Sequence, residues 1–404
     1  MALILNEEQQ SLKDIAKDFL EKNAPINHFR EIRDTANETG YSQELWKEMA
    51  ELGWAGILVS EEYGGFDFGM MGMGGILEES GKTLTPSPLF STAVLGASLL
   101  EMAGDDSQKS NYLPRLVSGE LTTAFALEEG SHHNPTNITT SAKKDGDNFV
   151  INGKKTFVID GHSANLIIVV ARTKGDEDDP NGISLFCVDS DNKNLKVIKQ
   201  SMVDSRNCAE IELNNVTVSK DNLLGDLHNA YSVIENVLDV ARVAIAAEML
   251  GNSSKAFDIT LDYLKERKQF GVLIGSFQAL KHRAAEMYSE IELTKSAVVS
   301  AMNAIDEKSN DTARLSSLCK FKACETSHLV SNESVQMHGG VGVTDEYDVG
   351  LFLKRSRVAE QVFGNADYHV DRYATLSEYL SLIHISEPTR RRGISDGRVG
   401  VEKK

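Results

Sequence analysis

The sequence predicts a three-part chain, helical at both ends with a β domain between, and three observations carry that reading. Proline stands at Pro25, Pro86, Pro88, Pro114, Pro135 and Pro180, and then not again until Pro388. So long a proline-free stretch, rich in Ala, Leu, Glu and Lys from Asn229 onward, predicts a bundle of long helices, because an interior proline removes a helix hydrogen bond. From Leu121 to about position 226 the texture is instead short runs of β-branched and aromatic residues. At 404 residues, 41% hydrophobic and 25% charged, the composition is that of a globular protein of about two to four domains.

Residues 1–120 predict short helices. Asn6 and Gln9 form a capping box ahead of Leu12, Ile15 and Phe19. Trp46, Met49, Ala50 and Leu52 mark a second apolar face, and Glu61 to Gly65 reads as a connector. The glycine-rich tract beyond it is no dinucleotide fingerprint: Gly72-x-Gly74 meets Leu77 where the third glycine belongs, and no strand precedes it.

Residues 121–226 predict strands. Asn148–Ile151 and Thr156–Ile159 flank Asn152-Gly153, a hairpin signal. Runs at 165–171, 182–188 and 209–213 are further strands, and acidic Asp176–Asp179 is a solvated loop.

Residues 227–380 predict the bundle. Apolar residues recur at three- and four-residue spacing from Leu238 to Leu264, and again from Ala279. Between them Glu266–Gln278 breaks the pattern at Gly271 and Gly275, which tolerate angles closed to other residues. Arg267 closes the first helix, where a cation suits the dipole and can hold a phosphate. On spacing alone, a plain corner with a solvated arginine fits as well. Residues 381–404, with Pro388 and Arg390-Arg391-Arg392, read as a non-native or disordered tail outside the fold.

The net charge of −18 argues against nucleic acid, and any anionic ligand needs a local basic pocket. Cys187, Cys208, Cys319 and Cys324 contain no C-x-x-C pair, so buried thiols in a reducing cytosol are expected. Acidic residues from Glu7 to Asp18 do not suit a signal peptide, and no apolar run reaches membrane-span length. A cytoplasmic protein follows. His132-His133 lacks the acidic companions of a metal site and reads as a solvated pair, so no metal is expected.

Arg267-x-Gln269-Phe270-Gly271, followed by Phe277-Gln278, resembles the flavin-diphosphate segment of the acyl-CoA dehydrogenase family. A second signature, Gln336-Met337-His338-Gly339-Gly340-Val341-Gly342, follows at that family's distance, and the resemblance covers residues 1 to about 380. It implies an α+β multidomain fold: an all-α N-terminal domain, a β-barrel-like middle domain, and a long four-helix bundle that mediates tetramer formation. The Gly72 tract resembles that family's loop between helices. The resemblance also implies FAD, an acyl-CoA substrate losing an α-proton to a carboxylate and a β-hydride to flavin, and electron-transfer flavoprotein as acceptor.

Residue by residue, the resemblance assigns Arg267, Phe270, Phe277, Gln278, Gln336, Gly339 and Gly340 to the adenosine diphosphate end of a neighbouring subunit's FAD. Leu127, Glu128, Phe157 and Ile159 would face this chain's own flavin. Asp239, Arg242 and Asn134 match substrate-side positions, although a salt-bridged helix pair explains Asp239 and Arg242 equally well.

The catalytic positions depart from the family. Its glutamate falls at Phe363, and the alternative position on the earlier helix is Ala241, so Asp367 is the fallback base. A ring-contacting threonine has become Glu128, whose carboxylate suits a reduced, anionic flavin poorly. The usual Trp-x-Thr reads Phe157-Val158-Ile159, and isoleucine cannot hydrogen-bond the ring. The segment Phe363 to His369 resembles the small subunit of pimeloyl-CoA-type dehydrogenases. Three readings stay open: a catalytic homotetramer, a base-less subunit completing a partner's FAD site, or a cofactor-free helical interaction protein.

Overall fold

The structure is a computed structural model that describes residues 5–379, so the tail at 381–404 lies outside the described residues. Helices α1 (Glu7–Asn23), α2 (Ile26–Asp34), α3 (Gln43–Glu51) and α4 (Met70–Thr83) open the chain. A π-helical stretch, Phe90–Gly96, runs into α5 (Ala97–Ala103), and α6 (Asp106–Val117) follows. The capping box forms as expected, with the Asn6 side chain accepting from the Gln9 N–H and the Gln9 side chain accepting from the Asn6 N–H. In α3, Trp46, Met49 and Ala50 are buried, but Leu52 lies just past the helix and is 42% exposed.

The glycine-rich tract is not a loop. Gly72, Gly74 and Gly75 lie inside buried α4, which packs on the long helix α7 (Tyr231–Glu266). Contact there is too close for side chains: a Cβ on Gly81 would stand 2.1 Å from the Glu248 carbonyl oxygen, and one on Gly251 1.8 Å from that of Glu78. Glycine therefore sets the spacing between these helices, and that gain outweighs its poor helix propensity.

The middle region forms one sheet from β1 (Thr123–Ala126), β2 (Ser141–Asp145), β3 (Asn148–Ile159), β4 (Leu166–Arg172), β5 (Ile183–Asp189), β6 (Leu195–Lys199), β7 (Cys208–Ser219) and β8 (Leu223–Leu224). The strand order is β6-β7-β3-β2-β4-β5-β8, with β1 parallel to β4. The expected hairpin at Asn152-Gly153 does not exist. Strand β3 runs straight through, paired with β7 along its length, and Asn152-Gly153 falls at a register shift between Ile151 and Gly153. The turn comes earlier, at Gly146 (φ 61°), so the Asn-Gly pair serves a bulge rather than a turn. Strand β4 explains an unbroken apolar run. Leu166, Ile168 and Val170 join the core shared with the helices, while Ile167, Val169 and Ala171 fill the core inside the β domain.

The C-terminal bundle comprises α7, α8 (Gln278–Asp306), α9 (Thr312–His338), α10 (Val349–Gln361) and α11 (Ala366–Leu376). The 36 residues of α7 give a rod of roughly 54 Å. Two-residue strands β9 (Lys268–Gln269) and β10 (Val272–Leu273) form the corner between α7 and α8. Left-handed angles occur there at Phe270 (φ 53°) and Gly271 (φ 79°). Gly275 keeps ordinary angles and serves close packing instead, since its Cβ would stand 2.7 Å from the Leu264 carbonyl oxygen. All four cysteines are buried free thiols. Among the described residues, no helix is long and apolar enough to cross a membrane, and no cluster of His, Cys, Asp and Glu could hold a metal.

Candidate active site

A cavity of about 470 Å³ opens where the β domain meets the end of the bundle. Its walls are Leu95 from the π-helical stretch, Phe125 of β1, Leu127, Glu128 and 130–133 from the loop after it, Thr156, Phe157 and Ile159 from β3, and Gln361, Phe363, Asn365 and Tyr368 from the α10–α11 junction. Of the residues expected to face a flavin, Leu127, Glu128, Phe157 and Ile159 are thus brought together, with Phe363 across from them. Leu95, Phe125, Leu127, Phe157, Ile159 and Phe363 supply the apolar part of the lining, which suits a flat ring system.

The backbone at Phe363 is fixed from three sides. Its carbonyl accepts from Arg242 Nε at 3.4 Å and from His369 Nε2 at 3.1 Å. The next carbonyl, Gly364, accepts from the ammonium of fully buried Lys320 at 3.1 Å, which also reaches the carbonyls of Ala359 and Glu360. Burial, reinforced by Lys320 and Arg242, pushes His369 far below the ordinary histidine range, so it is a neutral donor here. Phe363 itself holds φ 53°, as Phe157 holds 52° and Phe270 53°. Bulky side chains rarely accept such angles, and strain of this kind collects at functional sites.

Behind Phe363, Arg242 is completely buried and ties the cavity to the bundle. It donates to Asp239 at 2.9 Å and to Glu235 and Tyr368 at longer range, and Arg372 returns to the same two carboxylates. Asp239 also accepts from Ser316 at 2.6 Å. Asp239 and Arg242 are therefore an ion pair, and neither lines the cavity. Ala241 is buried on α7 and also lies outside the lining. Asp367 is exposed on the first turn of α11 and does not reach the cavity, because its side chain faces solvent one position before inward-facing Tyr368. Asn134 is exposed and turns back on Thr136.

The histidine pair departs from the expectation of solvated side chains. His132 is exposed, but the His133 side chain is only 4% exposed, with Nδ1 2.5 Å from Glu128 Oε1 and Nε2 3.3 Å from Arg242 Nη2. Its ring packs edge-on against Tyr368 and Phe363. The loop that carries the pair is pinned from beneath. Glu129 accepts from the buried Lys155 ammonium and from the backbone of Thr139 and Thr140, and Lys155 also donates to the Leu127 carbonyl. Burial opposes the Glu129 charge, but Lys155 and both threonines outweigh it and hold that carboxyl below its usual range. Sequence reading missed His133, Tyr368, Lys320 and His369. The one local signal was a histidine five residues after an unexpected glutamate.

The corner at Arg267 is built in the opposite way. Arg267, Gln278 and Gln336 are exposed, and the Arg267 guanidinium has no partner among the described residues. Phe270 is 91% exposed and touches Phe277 edge-on. A Cβ on Gly339 or Gly340 would meet nothing within 4 Å. Gly339 needs its left-handed φ of 64°, but nothing inside the chain requires glycine at 340. His338 behind them is buried, with Nδ1 on the Ser334 carbonyl and Nε2 unpartnered among the described residues. Measured along α7, Arg267 lies roughly 37 Å from Arg242. The corner and the cavity of one chain therefore do not converge on one site.

Three comparisons meet this geometry. Family models for the acyl-CoA dehydrogenase N-terminal, middle and C-terminal domains match residues 6–120, 124–216 and 231–375. The chain is 35% identical to the probable acyl-CoA dehydrogenase YngJ of Bacillus subtilis, covering 88% of this chain and 94% of that one. It is 31% identical, with the same coverage, to the caffeyl-CoA reductase-Etf complex subunit CarC of Acetobacterium woodii. Among solved structures, butyryl-CoA dehydrogenase from Megasphaera elsdenii superposes with a TM-score of 0.86 at 26% identity, over 94% of this chain and 100% of that one.

Proposed function

The chain belongs to the acyl-CoA dehydrogenase family of flavoprotein oxidoreductases, and from that premise we propose that it is a FAD-dependent acyl-CoA oxidoreductase whose flavin is held between two subunits. The observation that carries this reading is the separation of roughly 37 Å along α7 between two half-sites, each unfinished within its own chain.

The residues present fit the cofactor. Arg267 offers a planar fork with no partner among the described residues to a diphosphate, and Gln278 and Gln336 are exposed as well. Bare Gly340 leaves room for a ligand to approach the protein backbone. On the other side, Leu127, Phe157 and Phe363 offer an apolar slot, with Glu128 and Ile159 completing its wall. When bound, FAD accepts the substrate's β-hydride; the chain's own part is to exclude water, orient the thioester and move the α-proton.

In this reading the assembly is a tetramer of this chain alone or with a related subunit, in the cytoplasm. The name of CarC describes a complex with an Etf, which supports electron-transfer flavoprotein as the electron acceptor here too.

Purification of the full chain tests the proposal. Flavin absorbance, native mass and dye reduction by acyl-CoA are expected together, with FAD lost on Arg267→Ala. A chain that purifies without flavin from an FAD-replete host and does not take FAD up would refute it.

A further inference from the structure

Neither position that carries the family's base holds an acid here, yet the cavity is not without titratable groups. Glu128, His132, His133 and Tyr368 line it. Three of these four are disqualified by their surroundings. His132 is exposed and bonded to its neighbour Ser131. Tyr368 keeps its proton, since burial above all pushes its phenol upward, and its oxygen meets Arg242. His133 has no free lone pair. Arg242 is always protonated, so at His133 Nε2 it can only donate, which leaves the ring proton on Nδ1, aimed at Glu128.

That arrangement singles out one atom. Glu128 Oε1 accepts from His133, while Oε2 has no hydrogen-bond partner among the described residues, and the carboxylate lines the cavity. We propose that Glu128 is the proton-transfer group of this cavity, taking the α-proton of an acyl thioester through Oε2 in place of the acid absent at Phe363 and Ala241. This rests on the reading of the chain as an acyl-CoA oxidoreductase. His133 is a positioning residue: Glu128 and Arg242 hold it by its two nitrogens, and Phe363 and Tyr368 hold its ring. The Lys155–Glu129 pair and its bond to the Leu127 carbonyl fix the loop beneath. A carboxylate that looked unsuitable beside a flavin is thus given a donor, a fixed direction and a wall of the cavity.

The step needs no oxidant. The α C–H bond breaks, its electron pair passes into the thioester as an enolate, and the proton moves to Oε2. Return of a proton from solvent restores the substrate, so α-hydrogen exchange reads the base alone, independently of any flavin reduction. The charged groups around the pair are Glu235, Asp239 and Arg242 on α7, Arg372 on α11, Lys155 on β3 and Lys320 on α9.

The experiment incubates the full-length protein with a series of acyl-CoAs, from butyryl-CoA to decanoyl-CoA, in deuterated water and measures α-deuterium by mass spectrometry. Wild type is expected to exchange at least one of them. Glu128→Gln should lose roughly 10²–10⁴-fold in exchange rate, with FAD content and melting temperature retained, and Glu128→Asp should keep part of the rate. His133→Asn should lose less and shift the pH profile, which a merely structural brace would not do. Unchanged exchange in Glu128→Gln overturns the proposal. Should that variant not fold, full exchange in both Glu128→Asp and His133→Asn overturns it equally. A wild type that carries flavin and binds acyl-CoA but does not exchange overturns Glu128 alone. One that takes up neither removes the oxidoreductase reading and this inference with it.

Discussion

The cavity behind Phe363 and the corner at Arg267 answer opposite demands. At the cavity nearly every polar atom is spoken for: Arg242 serves two carboxylates, a phenol, a histidine and a carbonyl, and Lys320 caps three carbonyls. At the corner a guanidinium and two amides face outward with no side-chain partner among the described residues, beside a 91% exposed phenylalanine. The polar framework behind the cavity is satisfied within its own chain, whereas the corner presents its polar groups outward. The contrast makes a rule that mutation can break. Changes to the buried ion pairs behind the cavity should destabilise the fold, whereas changes at the corner should spare the fold and weaken binding.

The largest effect is expected from Arg242→Ala. Removing it leaves Asp239 and Glu235 short of a partner in the bundle interior, and breaking one side of a buried pair typically costs about 3–5 kcal/mol. Thermal and urea unfolding should record the loss. A variant as stable as wild type would mean that Arg372, which reaches both carboxylates, suffices alone.

A smaller and pH-dependent effect belongs to Asp160, the buried residue that follows cavity-lining Ile159. Burial, ahead of any charge nearby, pushes its carboxyl up from 3.8 to about 6, against the pull of Arg206, and Oδ2 lacks a hydrogen-bond partner among the described residues. Because the folded state holds this proton more tightly than the unfolded one, the contribution is fully present below about pH 4 and is lost as pH rises through 6. Asp160→Asn should remove that loss. Relative to wild type it should gain up to about 3 kcal/mol between pH 4 and pH 7 in paired denaturation curves. A gap that does not widen with pH would show that Arg206 and Arg355 already compensate the charge.

At the corner, Arg267→Ala should leave the melting temperature of the apo protein where it was and weaken FAD binding. Loss of a charge-assisted, two-pronged contact corresponds to about 1.5–3 kcal/mol, or roughly 10- to 150-fold in affinity. Fluorescence titration of apo protein with FAD measures it. If stability fell instead, the corner would be part of the fold after all.

The two regions also differ in how far the sequence discloses them. The corner was legible because it is local: Glu266 to Gln278 is one short segment between two periodic runs, and its glycines and arginine stand out in a window of thirteen residues. The three-part order was legible for a similar reason, since proline and β-branched residues act on the chain where they stand. The cavity was not. It joins Glu128 to Arg242 through His133 and Gly364 to Lys320, and no periodicity links positions so far apart. Misreadings came where one residue type serves two purposes. Asn152-Gly153 signals a turn but fills a bulge in β3, because β7 pairs with that strand from end to end. Gly72 and Gly74 suggest a loop but sit in a helix that packs too tightly for side chains.

The sharpest test of the contrast belongs to Phe270. Its φ of 53° lies in the left-handed region, which costs an ordinary residue about 1–2 kcal/mol, and its ring is 91% exposed with Phe277 as its one aromatic neighbour. The chain thus carries strain at a residue that returns almost no burial. Phe270→Gly removes the strain and in exchange loses about 0.5–1 kcal/mol to the greater freedom of glycine in the unfolded state. The two nearly cancel, so the melting temperature of the apo protein should move by no more than a degree or two. If the ring is kept for a cofactor or a neighbouring subunit, flavin retention on gel filtration should still fall while the fold stays intact. Should Phe270→Gly lower apo stability markedly, the corner would hold itself together through that ring. The difference between the two regions would then be one of degree only.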